Sequence, residues 1–411
     1  MADGVPFKEA IDFLAGKVNL PTRRWDDLQE AGHVRGFAVA GVTRDDMLAD
    51  FRAAIEKARR DGTGFNEFRK DFDAIVERTG WQYFSHGKTE EERRSWRAQI
   101  IYTTNMRTSY MAGRWSQLTD PDILRYRPYL QYIHSGALHP RKLHLSWNNR
   151  VWLATDPVWK VIYPPNGWGC GCDVEALSDR ELRAMGKTGP DEPLDLQSYQ
   201  DTDPRTGQPE TRYPGIDRGW AYNVGDEWLN GLVPRELREP LPAFGEMPTT
   251  PNLPPMPAPT RVATDMLLPD DRSPETYVEA FLKPFGLRND RGYFRDVSGG
   301  IITVGPSLFQ ADQDGQSLPA TRFELGPYAA ILADAIINPD EIWLDWALGA
   351  RGAAVTRRSY LRRVVLESGL SLNVRFQWTK YGWMAAAGIA SSELEIEAAR
   401  RGVLLYRRRE T

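Results

Sequence analysis

The sequence predicts a multidomain chain: a mainly α N-terminal domain with a small irregular region of strands and turns, a Pro-rich linker, and an α+β C-terminal domain of helices plus antiparallel sheet. Three observations carry this. At 411 residues the chain exceeds the roughly 250–300 residues at which one hydrophobic core stops growing. Apolar residues recur at helical spacing early in the chain and at the two-residue period of strands near its end. Between the two lies Pro248-Thr249-Thr250-Pro251-Asn252-Leu253-Pro254-Pro255-Met256-Pro257-Ala258-Pro259, a composition that stays extended and semi-rigid. The expected domains are 1–185, a linker 186–265, and 266–411.

From Pro6 to about Gln117 the pattern is helical. Phe7, Ile11, Phe13 and Leu14 open it, and Met47, Phe51 and Ile55, then Phe65, Phe68, Phe72 and Ile75, follow at spacings of three and four. Thr43 before Asp45 and Asp46 predicts a helix start, and Gly80 after Thr79 a stop. A long helix is expected over 90–118, with Trp96, Ile100, Thr103, Met106, Arg107, Tyr110, Met111 and Trp115 as its core-facing stripe. Residues 129–178 turn aromatic and rich in Pro and Gly, which predicts short strands and ordered turns. Ser178 and Glu181 then form a capping box for the next helix. Trp220, Tyr222, Val224, Trp228 and Leu229, inside the linker, are expected to pack back on the first domain.

In the last domain, 275–282 and 328–337 read as helices. The strand candidates are 301–304, 341–346, 360–366, 372–378 and 403–407, giving helices ahead of most of an antiparallel sheet. Alternation puts Leu372, Val374, Phe376 and Trp378 on one face and Asn373, Arg375, Gln377 and Thr379 on the other. Trp343 and Asp345 likewise leave the face of Ile342, Leu344 and Trp346. The expectation is one buried face and one polar, Arg-bearing face.

Composition bounds the function. With 41% hydrophobic and 26% charged residues the chain is ordinary for a globular protein, and neither wholesale disorder nor a fibre is indicated. A net charge of -4 gives no general attraction to nucleic acid or anionic membrane, so such contact must come from a local patch. Met1-Ala2-Asp3-Gly4 opens no signal-like segment, and no stretch approaches about 18 consecutive apolar residues. The expectation is a chain kept in water, with no membrane partner.

Two constellations carry chemistry. The two cysteines stand one residue apart in Cys170-Gly171-Cys172, after Tyr163-Pro164-Pro165-Asn166-Gly167-Trp168 and downstream of His139 and His144. A disulfide across one glycine would be strained, so reduced thiols are expected. His139, His144, Cys170 and Cys172 are candidate ligands of a structural zinc ion, against a small buried turn with hydrogen-bonded imidazoles; a Cys/His catalytic pair lacks an orienting third residue. The second constellation is basic. From Arg351 onward 12 Arg and Lys face 5 Glu, a surplus suited to phosphate-backbone contact, against a solvated surface and an Arg tail at Arg407 to Arg409. No histidine follows His144 and no carboxylate cluster signals a two-metal site. Phosphodiester cleavage here would therefore use the ribose 2'-hydroxyl, with Arg or Lys on the transition-state charge and Tyr, Lys or a carboxylate moving protons. Arg375, Thr379, Lys380, Tyr360, Arg362 and Tyr406 are the available groups, and RNA the substrate.

The helix Trp96-Arg97-Ala98-Gln99-Ile100-Ile101-Tyr102-Thr103-Thr104-Asn105-Met106-Arg107, the His139 to His144 segment and Tyr163-Pro164-Pro165-Asn166-Gly167-Trp168-Gly169-Cys170-Gly171-Cys172 together resemble the phage Mu F-like head morphogenesis family, over roughly the first 240 residues. That family more often has Arg between the cysteines, where this chain has Gly171. Pro339-Asp340-Glu341-Ile342-Trp343, Tyr360-Leu361-Arg362-Arg363 and Arg401-Gly402-Val403-Leu404-Leu405-Tyr406 resemble the nuclease-like domains of the barnase, EndoU, colicin E5/D and RelE group. The resemblance implies a minor capsid protein of a Mu-like phage or prophage that binds portal or head proteins. It would reside in the virion head, and in the host cytoplasm during assembly, with a metal-independent RNase domain that meets RNA or packaged DNA. A purely structural head protein, binding nucleic acid or capsid without catalysis, is the alternative. A toxin effector would need export machinery that the sequence does not show.

Overall fold

A computed structural model describes residues 7–28, 30–82, 86–204, 207, 209–231, 253–288, 290–306, 325–348, 354–379, 382–383, 388–390 and 393–410. The chain divides into two compact units. The first gathers the described residues of Met1–Asn19, Gln29–Asp201 and Glu210–Gly231; the second gathers those of Leu20–Leu28, Thr202–Pro209 and Leu232–Thr411.

The first unit is built on helices α1 (Lys8–Ala15), α2 (Asp45–Asp61), α3 (Phe65–Thr79) and α4 (Glu90–Leu118). The spacings read from the sequence bury Met47, Phe51 and Ile55 on α2 and Phe68, Phe72 and Ile75 on α3. Gly80 closes α3 in the left-handed conformation, φ 67°, which glycine adopts without a Cβ clash. Thr43 does not cap α2: the N-cap position falls to Arg44, which makes no side-chain cap bond. The α4 bounds agree with the sequence, and Thr89 with Glu92 caps it, but its buried stripe runs through Ala98, Ile101, Met111, Ala112 and Trp115. Trp96, Ile100, Thr103 and Tyr110 are only half-buried. The reason is packing: α4 meets α1, α2 and α3 as well as the later helix α7 (Val224–Asn230), so no single face defines its burial.

Strand β1 (Tyr129–Ile133) lies between β2 (Val151–Leu153) and β3 (Asp173–Leu177), antiparallel to both. The short helix α5 (Lys142–Ser146) falls between β1 and β2 in the chain. Helix α6 (Asp179–Ala184) follows β3 and carries the expected Ser178–Glu181 capping box. One apolar core runs from Phe13 through Phe51, Phe72, Met111 and Trp159 to Trp220 and Val224, and Tyr222, Trp228 and Leu229 pack against it, as expected.

The second unit centres on a seven-stranded sheet. Its strands are β4 (Thr260–Val262), β7 (Glu341–Leu348), β8 (Ala354–Leu366), β9 (Ser371–Thr379), β10 (Gly382–Trp383), β11 (Gly388–Ala390) and β12 (Val403–Arg407). The order is β10-β9-β8-β7-β12, with β11 on β9 and β4 parallel to the far end of β8. Helices α8 (Pro274–Leu282) and α9 (Ala329–Ile337) pack together, and α9 lies on β8 and β9. The 301–304 strand does not join this sheet. As β6 (Ile301–Val304) it pairs, among the described residues, with β5 (Gly292–Arg295) alone.

The strand alternation holds, since Leu372, Val374 and Phe376 are buried. The opposite face is not left open as expected. Helix α10 (Glu393–Ala399) and residues around Met256 cover part of it, so Trp343, Leu361 and Leu404 pack with Met256, Ile396 and Ala399. Residues 253–262, which composition assigns to the linker, contribute strand β4 and this packing to the second unit.

Candidate functional sites

Strand pairing assembles the first site. Ile133 of β1 stands opposite Asp173 of β3, which carries Cys172 to the end of β1 beside Tyr132. A turn closed by Cys170 N–H to Gly167 O at 3.1 Å brings the second thiol in, and α5 supplies His144. The donor atoms of His144, Cys170 and Cys172 all lie within 4.8 Å of one another. His144 Nδ1 is 3.8 Å from Cys170 Sγ and 3.7 Å from Cys172 Sγ. The other ring nitrogen, Nε2, lies 2.8 Å from the Gly215 carbonyl oxygen. Trp147 stacks on the imidazole at 5.2 Å, and the Tyr132 hydroxyl donates to Asn166 Oδ1 at 3.1 Å. Arg107 of α4 donates to the Cys172 carbonyl.

Both cysteines are free and buried. The hydrogen bond from Cys170 holds the Cys172 thiol down to about 3 against its burial. That same bond, with burial, pushes Cys170 up. Gly171 suits its place: a Cβ there would lie 3.1 Å from Ser135 Cβ, tighter than ordinary packing allows. The set offers two sulfurs and one imidazole nitrogen to a soft cation, and all three residues are buried. His139 is exposed and stands outside the cluster, and among the described residues no fourth His, Cys, Asp or Glu joins it.

In the second unit the basic surplus is largely consumed. Arg358 pairs with Asp296 at 2.5 Å, and the same carboxylate accepts the Tyr360 hydroxyl at 2.6 Å. Arg362 binds Asp334 at 3.0 Å and Asp340 at 3.2 Å, and Arg408 binds Asp340 at 2.7 Å. Arg400 and Arg407 share Glu341, at 2.9 and 2.5 Å. Arg363 reaches Glu393 at 2.9 Å. Most of these carboxylates precede Arg351 in the chain, which is why a count taken from there misses them.

Arg375 and Arg401 are different. With Asp345, Arg357, Ser359, Ala398 and Ala399 they line a cleft of about 170 Å³. No carboxylate among the described residues pairs with either, and the Nε of each is buried without a hydrogen-bond partner. Arg357 chelates Asp345 through Nε, at 2.9 Å, and Nη2. Burial lowers the Arg375 guanidinium from its usual range, and the charge of Arg357 adds to this. Burial also raises the Asp345 carboxyl, partly offset by its bonds to Arg357. Three guanidinium groups around one carboxylate leave a positive cavity shaped for an anion.

The sequence-derived catalytic set is split by this geometry. Arg375 lines the cleft, and the backbone of Thr379 lies on the same face; the Thr379 side chain and Lys380 fall outside the described residues. Tyr360, Arg362 and Tyr406 belong to the opposite face by strand register. Tyr360 is fully buried, with its hydroxyl pushed well up by burial and by Asp296. Arg362 is buried between Asp334 and Asp340. Neither can meet a substrate, and Tyr406 is half-buried. Residue chemistry alone leaves Arg357, Ser359 and Arg401 out of the catalytic set, although alternation along β8, with Leu361 opposite Arg375, places Arg357 and Ser359 on the Arg375 face.

Residues 280–407 match a family model described as phage-Barnase-EndoU-ColicinE5/D-RelE like nuclease2. The chain is also 30% identical over 227 residues to the Mu-like prophage FluMu F protein of Haemophilus influenzae, covering 50% of this chain and 53% of that protein. It is 30% identical over 241 residues to the putative capsid assembly protein F of Escherichia phage Mu, covering 54% of each. The chain thus spans about half the length of the curated relatives it matches. No solved structure matches it. The chain therefore joins similarity to Mu-like phage F proteins with a nuclease-like region of the barnase, EndoU, colicin and RelE group, and no helix among its described residues is long and apolar enough to cross a membrane.

Proposed function

We propose that this chain is a minor head protein of a Mu-like phage or prophage whose C-terminal unit binds and cleaves RNA without a metal ion. The observation that carries the RNA reading is the cleft in which Arg375 and Arg401 have no carboxylate partner among the described residues, while the neighbouring Arg357 is paired with Asp345. Their guanidinium groups would hold the non-bridging oxygens of one phosphodiester. The 2'-hydroxyl oxygen then attacks phosphorus, its proton passes to Asp345, and the bond to the 5'-oxygen breaks as that oxygen takes a proton from solvent water. The products are a 2',3'-cyclic phosphate and a free 5'-hydroxyl. Stabilising the charge that builds on the non-bridging oxygens of the five-coordinate phosphorus in this way is electrostatic catalysis.

One observation favours a second reading. Arg357 chelates the single carboxylate among the cleft-lining residues, and a carboxylate so held can leave the cleft a binding site that does not cleave. Incubating the full chain with RNA in chelator, beside Arg375→Gln, separates the two. Cleavage is expected, rising with pH through a midpoint above the ordinary carboxylate value of about 3.9 because Asp345 is raised. Salt-sensitive RNA binding without cleavage selects the second reading, and neither binding nor cleavage removes both.

The similarity to a capsid assembly protein supports portal or head proteins as partners of the chain, residence in the virion head, and host cytoplasm during assembly. Co-sedimentation of the tagged chain with purified heads tests this. In the first unit, the buried His144, Cys170 and Cys172 act as a structural metal centre rather than a reaction centre.

A further inference from the structure

We infer that the metal of the first unit is zinc, held by three protein ligands without His139, and that it locks three separate chain segments to one another. This rests on the reading of the cluster as a structural metal centre. The donor set selects the ion: two thiolates and an imidazole favour zinc over the hard, oxygen-seeking cations. The dimensions agree. Zinc bonds of about 2.3 Å to sulfur and about 2.0 Å to nitrogen set a tetrahedral edge of roughly 3.5 Å, and the two observed Sγ to Nδ1 separations, 3.8 and 3.7 Å, need only a few tenths of an ångström to close on it.

The imidazole is oriented for this. Its Nε2 faces the Gly215 carbonyl at 2.8 Å, so Nε2 carries the hydrogen and Nδ1 turns its lone pair toward the sulfurs, the arrangement by which outer partners commonly fix a metal-binding histidine. Among the described residues His144, Cys170 and Cys172 are the donors, which leaves one coordination position open.

The lock follows from what the ligands touch. His144 lies on α5 and the cysteines on the turn before β3, while Gly215 belongs to a third segment. Asp217 in that segment accepts from Arg141 at 2.8 Å and from the Trp168 backbone at 2.9 Å, and its own N–H donates to Asn166 O at 3.0 Å. One ion would thus hold residues 141–146, 166–172 and 215–217 together, and His144 is the group through which the third segment feels it.

The test uses purified full-length protein. Elemental analysis is expected to find about one zinc per chain, unchanged in His139→Ala and lost in Cys172→Ser. Because Cys172→Ser could fail to fold, the wild type is also treated with a thiol-reactive mercurial and a chromophoric zinc indicator. Zinc should appear in step with thiol modification, and protease cleavage should open in the 213–217 segment. A different metal at one per chain would overturn the zinc assignment and leave the metal-centre reading standing. Zinc that is lost in His139→Ala, or release that leaves 213–217 as protected as before, would overturn the three-ligand lock. Protein free of any metal that takes up none when zinc is added sinks both.

Discussion

Arg362 and Arg375 lie on adjacent strands of one sheet, one register step apart, and meet opposite fates. Arg362 turns to the face where Asp334 and Asp340 wait, and becomes part of the frame. Arg375 turns to the face where Arg357 already holds the cleft's carboxylate, and is left unmatched among the described residues. The same residue type on the same sheet is a strut on one side and a recognition group on the other. What separates them is the supply of carboxylates on each face, so a basic sequence says little about ligand binding until its acidic partners are placed.

The largest effect should come from breaking the frame. Asp296→Ala leaves Arg358 buried and unpaired, which costs about 3–5 kcal/mol and should be read as a fall in denaturation midpoint; a loss under about 1 kcal/mol would mean that these charges do not hold the face. The next sharpens the contrast directly. Arg375→Gln should lower RNA cleavage by about 10²–10³-fold at unchanged thermal stability, whereas Arg362→Gln should destabilise the fold. If both variants behave alike, the two faces do not differ in role. Tyr360→Phe removes one hydrogen bond to the Asp296 carboxylate and should cost about 1.5–3 kcal/mol without changing cleavage by the protein that remains folded. The smallest lies in the first unit, where Ser178→Ala uncaps α6 for about 1 kcal/mol and should leave RNA activity untouched.

Much of the fold was legible because it rests on local periodicity. The 90–118 helix, the Ser178 cap and the 403–407 strand agree with the structure at their ends. Alternation along 372–378 also sorted its residues correctly, where they are described. What escaped was long-range. Nothing in the spacing of His139 and His144 tells that one points into the core while the other sits on an exposed segment. Chemistry groups Tyr360 and Arg362 with Arg375, although the pleat of β8 sends them to the other side. The carboxylates that neutralise Arg358, Arg362 and Arg408 stand at 296, 334 and 340, so only the folded chain brings acid to base. Buried charge is the least local of interactions, and one sequence without a fold cannot pair it.

Strand β4 has a practical meaning. It occupies the edge of β8 at 364–366, past the point where β7 begins, and the chain just ahead of it is tied down by Arg400 to Pro254 O at 2.7 Å and Arg408 to Ala258 O at 2.6 Å. A fragment begun at residue 265 would strip that edge bare, and an unpaired edge of three alternating residues is a template for another molecule to zip onto. Such a fragment should therefore precipitate where one begun at 253 stays dispersed, and silence from the shorter piece in a cleavage assay would speak of self-association rather than of chemistry.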